Sequence, residues 1–232
     1  MNLRNTYLAN FINLLFPQLC QACKTTLLGT EHLICTDCLY HLPYTNFYNQ
    51  PDNIVAKQFW GKVDLQAACA LLYFEKGGKV QELMHNFKYN NAPQIGNKLG
   101  EITGSLLVQN PIYNTVDAIV PVPLHKKRLR KRGYNQSACF AEGLAKKLQA
   151  QVSETNLIRK VNTETQTLKS RFARFENMKE VFAIHKPEQL TGKHILLVDD
   201  IVTTGSTLEA CAQALLTVPN IKLSIATIAY AV

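Results

Sequence analysis

Residues 195–198 (Ile-Leu-Leu-Val) form an apolar run without polar alternation, which predicts a strand buried on both faces of a sheet. Two carboxylates, Asp199 and Asp200, close that strand. Residues 116–120 predict another buried strand, stopped by Pro121-Val122-Pro123. A further strand is expected over 65–73. Gly77-Gly78 then turns the chain into a helix over 80–87 ending in Lys88-Tyr89, and a second helix follows over 92–108. Later, 137–148 reads as a helix, and Leu208, Ala210, Cys211, Ala214 and Leu215 supply the apolar positions of another. The chain ends in the apolar stretch 223–232. Alternating strands and helices predict an α/β domain with a mostly parallel sheet.

The N-terminal part reads differently. Leu3, Tyr7, Leu8, Phe11, Leu14 and Leu15 recur at helical spacing, which points to an amphipathic helix docked on the rest of the protein. Asn2, Asn5, Asn10 and Asn13 interrupt the apolar residues of 1–16 and no small-residue cleavage site follows, so a signal peptide is not expected. Residues 43–62 mix prolines, asparagines and aromatics without a period and read as a linker or cover. The expected organisation is an N-terminal segment 1–45, a linker or cover segment 46–64, and a main domain 65–232. At 232 residues and 47% hydrophobic content the chain can hold one ordinary domain plus a small appendage. No segment approaches the roughly 18–20 consecutive apolar residues of a membrane span. The expectation is a soluble, cytoplasmic protein.

Four of the seven cysteines are grouped: Cys20 and Cys23, then eleven residues, then Cys35 and Cys38. Two C-x2-C knuckles joined by a short loop bring four thiolates to the corners of a tetrahedron, which suits Zn²⁺. Gly29, Thr25, Thr26 and Thr30 fit a turn between them. The alternatives are a pair of disulfides or redox C-x-x-C motifs. A closed four-Cys site has no open coordination position, so the expected metal role is structural. Its removal is expected to unfold residues 17–45 without touching the distant acidic loop. Cys69, Cys139 and Cys211 lie in apolar surroundings and read as inert core residues.

Past the acids comes a small, hydroxyl-rich loop, Ile201-Val202-Thr203-Thr204-Gly205-Ser206-Thr207, with Ser206 or Thr207 placed to cap the next helix. Strand, polar loop and helix N-terminus together make an anion cradle, because unpaired N–H groups, hydroxyls and the helix dipole all favour negative charge. The acids cannot bind that anion, but they can accept hydrogen bonds from a vicinal diol or hold a divalent cation. A phosphorylated ribose offers both groups. The net charge of +8 and pI near 9.1 suit a nucleotide, pyrophosphate or nucleic acid. Six of the seven residues 126–132 are basic, among them Arg128, Arg130 and Arg132. Ligands of open α/β sheets bind beyond the carboxyl ends of strands, so this basic loop is expected on the same edge as 199–207. The plain alternative is an exposed basic patch serving solubility or a partner.

The loop Asp199 to Thr207 resembles the phosphoribosyl pyrophosphate (PRPP) loop of type I phosphoribosyltransferases. The resemblance implies that Asp199 and Asp200 hold the ribose hydroxyls and that 203–207 wraps the 5′-phosphate. A narrower resemblance spans nearly the whole chain, from about Leu14 onward. The four-Cys knuckle, Lys88-Tyr89, Pro121-Val122-Pro123, Arg132-Gly133-Tyr134-Asn135-Gln136, the stretch 166–178 and the PRPP-type loop occur in the order found in the ComF family (ComFC/GntX-like). That likeness implies a type I phosphoribosyltransferase fold, a mostly parallel sheet flanked by helices, with a small N-terminal zinc-binding segment. It also implies a role in taking up single-stranded DNA in transformable bacteria, with a DNA-translocating ATPase as partner.

Three functions compete. As a phosphoribosyltransferase, the protein would use PRPP with Mg²⁺ through a transition state of oxocarbenium character, Arg128, Arg130, Arg132 and Lys88 meeting the pyrophosphate. His125 and Tyr134 are further candidates there. As an inactive binding module, it would run single-stranded nucleic acid along 126–132, Lys169, Arg171 and Arg174, with Tyr134, Phe172 and Phe175 as stacking faces. As an adaptor, it would grip a partner through the knuckle and the N-terminal helix.

Overall fold

The structure, a computed structural model, describes residues 16–160 and 181–232. The expected N-terminal helix and the stretch 166–178, with Lys169, Arg171, Phe172, Arg174 and Phe175, lie outside the described residues. The described strands are β1 (Ala67–Phe74), β2 (Ala118–Pro121), β3 (Gln151–Val152), β4 (Leu157–Arg159), β5 (Phe182–Ile184), β6 (His194–Val202) and β7 (Lys222–Ala231). The helices are α1 (Thr36–His41), α2 (Ile54–Lys57), α3 (Lys79–Tyr89), α4 (Pro93–Leu107), α5 (Lys126–Arg132), α6 (Gln136–Leu148) and α7 (Ser206–Leu215).

Five strands form a parallel sheet in the order β1-β7-β6-β2-β3, and β4 and β5 make a separate antiparallel pair. Residues 195–198 of β6 are fully buried between β7 and β2. Each such side chain contributes roughly 1.5–3 kcal/mol. From β2 the chain winds outward to β3, whereas from β6 it winds the other way to β7. The crevice beyond the carboxyl ends of β2 and β6 is therefore a topological switch point, where ligands of open α/β sheets sit.

The strand does not stop at the acids as expected. β6 runs through both to Val202, because β7 continues to pair with it (Asp199 opposite Thr227, Val202 opposite Tyr230). On its other side β2 ends at Pro121 opposite Val198, so 199–202 borders an open crevice.

α6 packs on β2, β3 and β6 and is locked against α4 through glycines. A Cβ on Gly100 would lie 2.3 Å from the Phe140 carbonyl oxygen, and one on Gly143 would lie 2.2 Å from that of Asn97. The segment 46–64 is firmly attached. Asn53 caps α2, its side chain accepting from the N–H groups of Val55 and Ala56 and donating to the carbonyl of Ala68 at 2.7 Å. Upstream, Thr45 N–H bonds the Leu71 carbonyl at 3.0 Å, and Tyr73 N–H the Pro43 carbonyl at 2.9 Å.

Candidate functional site

The two acids face different braces. Asp199 Oδ1 accepts from Ser137 Oγ at 2.8 Å and from the Asp200 N–H at 2.8 Å. Ser137 stands in the first turn of α6, which Asn135 caps. Asp200 Oδ2 is ion-paired with Lys88 Nζ at 2.9 Å, and its Oδ1 accepts from the Ile201 N–H at 2.7 Å. Burial and then the charge of Asp200 push the Asp199 carboxyl up to about 7, against the opposing pull of Ser137, the Asp200 N–H and Lys88. A carboxylate so placed gains from any cation or hydroxyl donor brought to it.

The loop after β6 reaches α7 through Gly205, which adopts φ +73°. A side chain there would be strained in that conformation, and its Cβ would come within 3.2 Å of the Phe59 ring. Contrary to expectation, neither Ser206 nor Thr207 caps the helix. Gly205 is the N-cap, without a side-chain bond, and Ser206 Oγ pairs instead with Thr204 Oγ1 at 3.0 Å. The first-turn N–H groups of the ten-residue α7 thus lack a side-chain cap, beside the exposed Thr203, Thr204 and Thr207. The cover segment holds this loop from behind. Gln58 Nε2 donates to the Thr203 carbonyl at 2.9 Å, and Lys62 pairs with the buried Glu209 at 3.5 Å. Ser137 and Gln58 were missed in the sequence, being 62 and 145 residues from their partners.

The basic stretch 126–132 is not a loop but the helix α5, begun by His125 Nδ1 accepting from the Lys127 N–H and ended by Gly133 at φ +83°. His125 is therefore a cap. Arg132 donates to Gln136 Oε1 at 2.8 Å and lies over the Tyr89 ring, 5.6 Å from its centroid. Tyr134 donates its hydroxyl to the Phe87 carbonyl, and Asn135 Nδ2 donates to the Val122 carbonyl at 3.0 Å. Arg128 and Arg130 are exposed, and among the described residues no hydrogen bond or ion pair ties them to 199–207. Lys88, by contrast, is brought directly to the acids.

Next to Lys88 opens a groove of about 540 Å³ walled by Phe74, Met84, His85, Tyr89 and Ile201. A slightly larger cavity, about 590 Å³, lies at the opposite edge of the sheet among Ala118, Asn156 and Lys193, away from the acids and the loop. The chemistry favours the first.

The sulfur atoms of Cys20, Cys23, Cys35 and Cys38 lie within 4.8 Å of one another, a cluster able to hold a metal ion. Backbone N–H groups point at them: Ala22 and Cys35 donate to Cys20 Sγ at 3.5 and 3.3 Å, and Cys38 donates to Cys35 Sγ at 3.4 Å. Such donors would complement the negative charge of metal-bound sulfur. Cys69, Cys139 and Cys211 are buried in the core, as expected, and burial pushes the first two thiols up to about 12 and about 11.

Residues 135–231 match the family model of the phosphoribosyl transferase domain. The DNA utilization protein YhgH of Escherichia coli K12 is 35% identical over 58% of this chain and 60% of its own length. Competence protein ComFC of Bacillus subtilis is 32% identical over 59% of this chain and 53% of its own. The chain is thus similar to DNA utilization and competence proteins and carries a phosphoribosyl transferase match over 135–231. It spans only about 60% of the E. coli relative and about half of the B. subtilis one. A crystal structure of adenine phosphoribosyltransferase is 15% identical, covers 63% of this chain and 74% of that one, and superposes with a TM-score of 0.40.

The phosphoribosyl transferase match begins at Asn135, so the matched region includes Ser137, both acids and the loop but not Lys88, α5 or the four clustered cysteines. Two of the groups that touch the acids or the loop, Lys88 and Gln58, come from outside the matched region. Among the described residues no helix is long and apolar enough to cross a membrane.

Proposed function

We propose that this ComF-type protein binds PRPP, or a ligand containing ribose 5-phosphate, at the crevice beyond β6. The observation that carries the reading is the acid pair at the switch point, with Lys88 and Ser137 on its flanks and the uncapped N-terminus of α7 next to it. In this reading Asp199 and Asp200 receive the ribose hydroxyls, and residues 203–207 with the α7 N–H groups receive the 5′-phosphate. Lys88, Arg128, Arg130 and Arg132 serve the pyrophosphate. Arg132 needs only to extend from its stack on Tyr89, whereas Arg128 and Arg130 offer exposed guanidinium forks. Mg²⁺ accompanying PRPP would neutralise phosphate charge, and the same acids suit it chemically. The four cysteines hold Zn²⁺ as a closed structural site. Similarity to a DNA utilization protein and a competence protein supports a role in DNA use or competence; single-stranded DNA handling and a DNA-translocating ATPase partner are what the family resemblance implies.

A second reading has its own observation. α5 presents exposed cations beside a stacked group in which His85 lies 5.1 Å and Arg132 5.6 Å from the Tyr89 ring. Cations beside aromatic faces suit single-stranded nucleic acid, with or without turnover at the acids.

Calorimetry of the zinc-loaded protein with PRPP and Mg²⁺, next to Asp199→Asn/Asp200→Asn, separates the two. Saturable binding that the double variant loses is the expected result. A folded protein that binds no PRPP refutes the pocket reading. Salt-dependent binding of single-stranded DNA that the double variant retains then places recognition on the basic surface.

A further inference from the structure

We propose that the four-cysteine cluster regulates the acid-pair pocket, with metal occupancy transmitted to Asp200 along α3. The inference goes against the expected independence of the knuckle, and it rests on the pocket reading above only for the identity of the ligand.

Helix α3 touches both sites. On the knuckle side, Asn86 Nδ2 donates to the Gln21 carbonyl at 2.9 Å, and Gln21 lies inside the first C-x2-C turn. Asn86 is 6% exposed, so losing that partner leaves a buried amide unsatisfied. Lys24 with Glu82 at 3.0 Å and Lys79 with Asp37 at 3.4 Å add two surface ion pairs, each of minor weight. On the pocket side, Lys88 meets Asp200 and the Phe87 carbonyl receives the Tyr134 hydroxyl. Asn86 and Lys88 are two residues apart, about 3 Å of helix rise, so the two contacts share a single turn. A helix of eleven residues has little stability by itself and takes its position from what it packs against.

The knuckle takes its own order from the sulfur cluster. Its three sulfur-directed N–H bonds, the Cys20 N–H to Thr25 carbonyl bond at 2.8 Å and the Gln21 N–H to Leu33 carbonyl bond at 2.7 Å all lie within or around the metal loop. With metal bound, Gln21 presents its carbonyl to Asn86 and the end of α3 holds Lys88 on Asp200. Without it, the Gln21 carbonyl is no longer fixed, and Lys88 loses its register. Linkage is reciprocal, so a ligand that fixes the acid pair tightens metal binding by the same factor.

The test is amide hydrogen exchange on the full chain, loaded with Zn²⁺ or stripped by a chelator. Exchange should quicken by about tenfold or more in 79–89 and 199–207, within the usual range of site-to-site coupling. The central strand segment 195–198 should stay protected. Faster exchange confined to 17–45 overturns the proposal, and so does loss of protection in 195–198 as well, since the metal then holds the whole fold. Asn86→Ala should give the stripped pattern at 199–207 while metal stays bound by a colorimetric release assay. A loop as protected as in wild type refutes the path. Lys88→Met cuts the link at the far end, so stripping should then disturb 79–89 and leave 199–207 at its loaded-variant rate; a tenfold change there refutes it. PRPP calorimetry reports separately. Coupling seen in a chain that binds no PRPP supports this proposal and sinks only the ligand assignment.

Discussion

Asp199→Asn isolates the cost of holding a charge at the floor of the crevice. Burial and Asp200 raise the folded-state carboxyl from the ordinary 3.8 to about 7. The folded state then grips this proton more tightly than the unfolded state does. Its stabilising contribution is fully present below the unfolded value and is lost as pH rises through the folded one. Each pH unit of displacement corresponds to about 1.4 kcal/mol, which sets an upper limit of about 4 kcal/mol at pH 8. The Lys88–Asp200 pair and the coupling of the two acids reduce this, and about 2 kcal/mol is expected. Asparagine preserves the Oδ1 acceptor for the Ser137 hydroxyl and the Asp200 N–H, so the variant removes charge and little else. Urea denaturation at pH 8, 7, 6 and 5 is the assay. The variant should be the more stable protein at pH 8, with the gap closing toward pH 5. Equal stabilities at pH 8, or a gap that ignores pH, would refute the reasoning. The variant should also lose PRPP binding, so stability would rise where function falls.

Gly100→Ala forces a Cβ to 2.3 Å from a helix backbone oxygen and should cost about 3 kcal/mol or more, read as a lower urea midpoint. Gly77→Ala, strained at φ +80° but in open space, should cost about 1 kcal/mol, and equal losses would count against the glycine-locked contact. His194 behaves oppositely to Asp199 with pH. Burial and then Lys222 lower its pKa below 6.5, so its contribution is fully present above 6.5 and is lost as pH falls toward the depressed value. Stability should therefore decline from pH 6.5 to 5 through this group, and His194→Asn should flatten that part of the profile.

What could be seen in the sequence was chemistry carried by neighbouring residues. The acid pair, the hydroxyl loop and the paired C-x2-C knuckles each lie within a short run, and the four cysteines do come together. The strand end was misplaced because the apolar run stops at Val198, whereas the β7 backbone carries pairing on to Val202 whatever the side chains are. Helix α5 has no apolar stripe, so its pattern reads as loop; only His125 before it and Gly133 after it mark its ends. Gly96, Gly100 and Gly104 stand at helical spacing, but their reason appears only when α6 arrives, with Cys139 against Gly96, Gly143 against Gly100 and Lys147 against Gly104. Ser137, Gln58 and the docking of the knuckle on Asn86 depend on tertiary contact and leave no local signal.

The Arg132-Gly133-Tyr134-Asn135-Gln136 stretch gains a structural explanation from the same contacts. Tyr134 and Arg132 reach back to Phe87 and Tyr89 at the end of α3, while Asn135 caps α6 and holds the Val122 carbonyl after β2. Near those anchor points stand Lys88 and Ser137, whose side chains touch the acids. The stretch thus sets the spacing of one cation and one hydroxyl on either flank of the acid pair, of which burial pushes Asp199 toward its neutral form. The stretch therefore acts as a clamp between α3, β2 and α6, while Arg128 and Arg130 stay exposed on α5. Lys88, outside the matched region, is the cation that this arrangement brings to Asp200. Without it Asp199 faces Asp200 uncompensated, and its proton is held more tightly still.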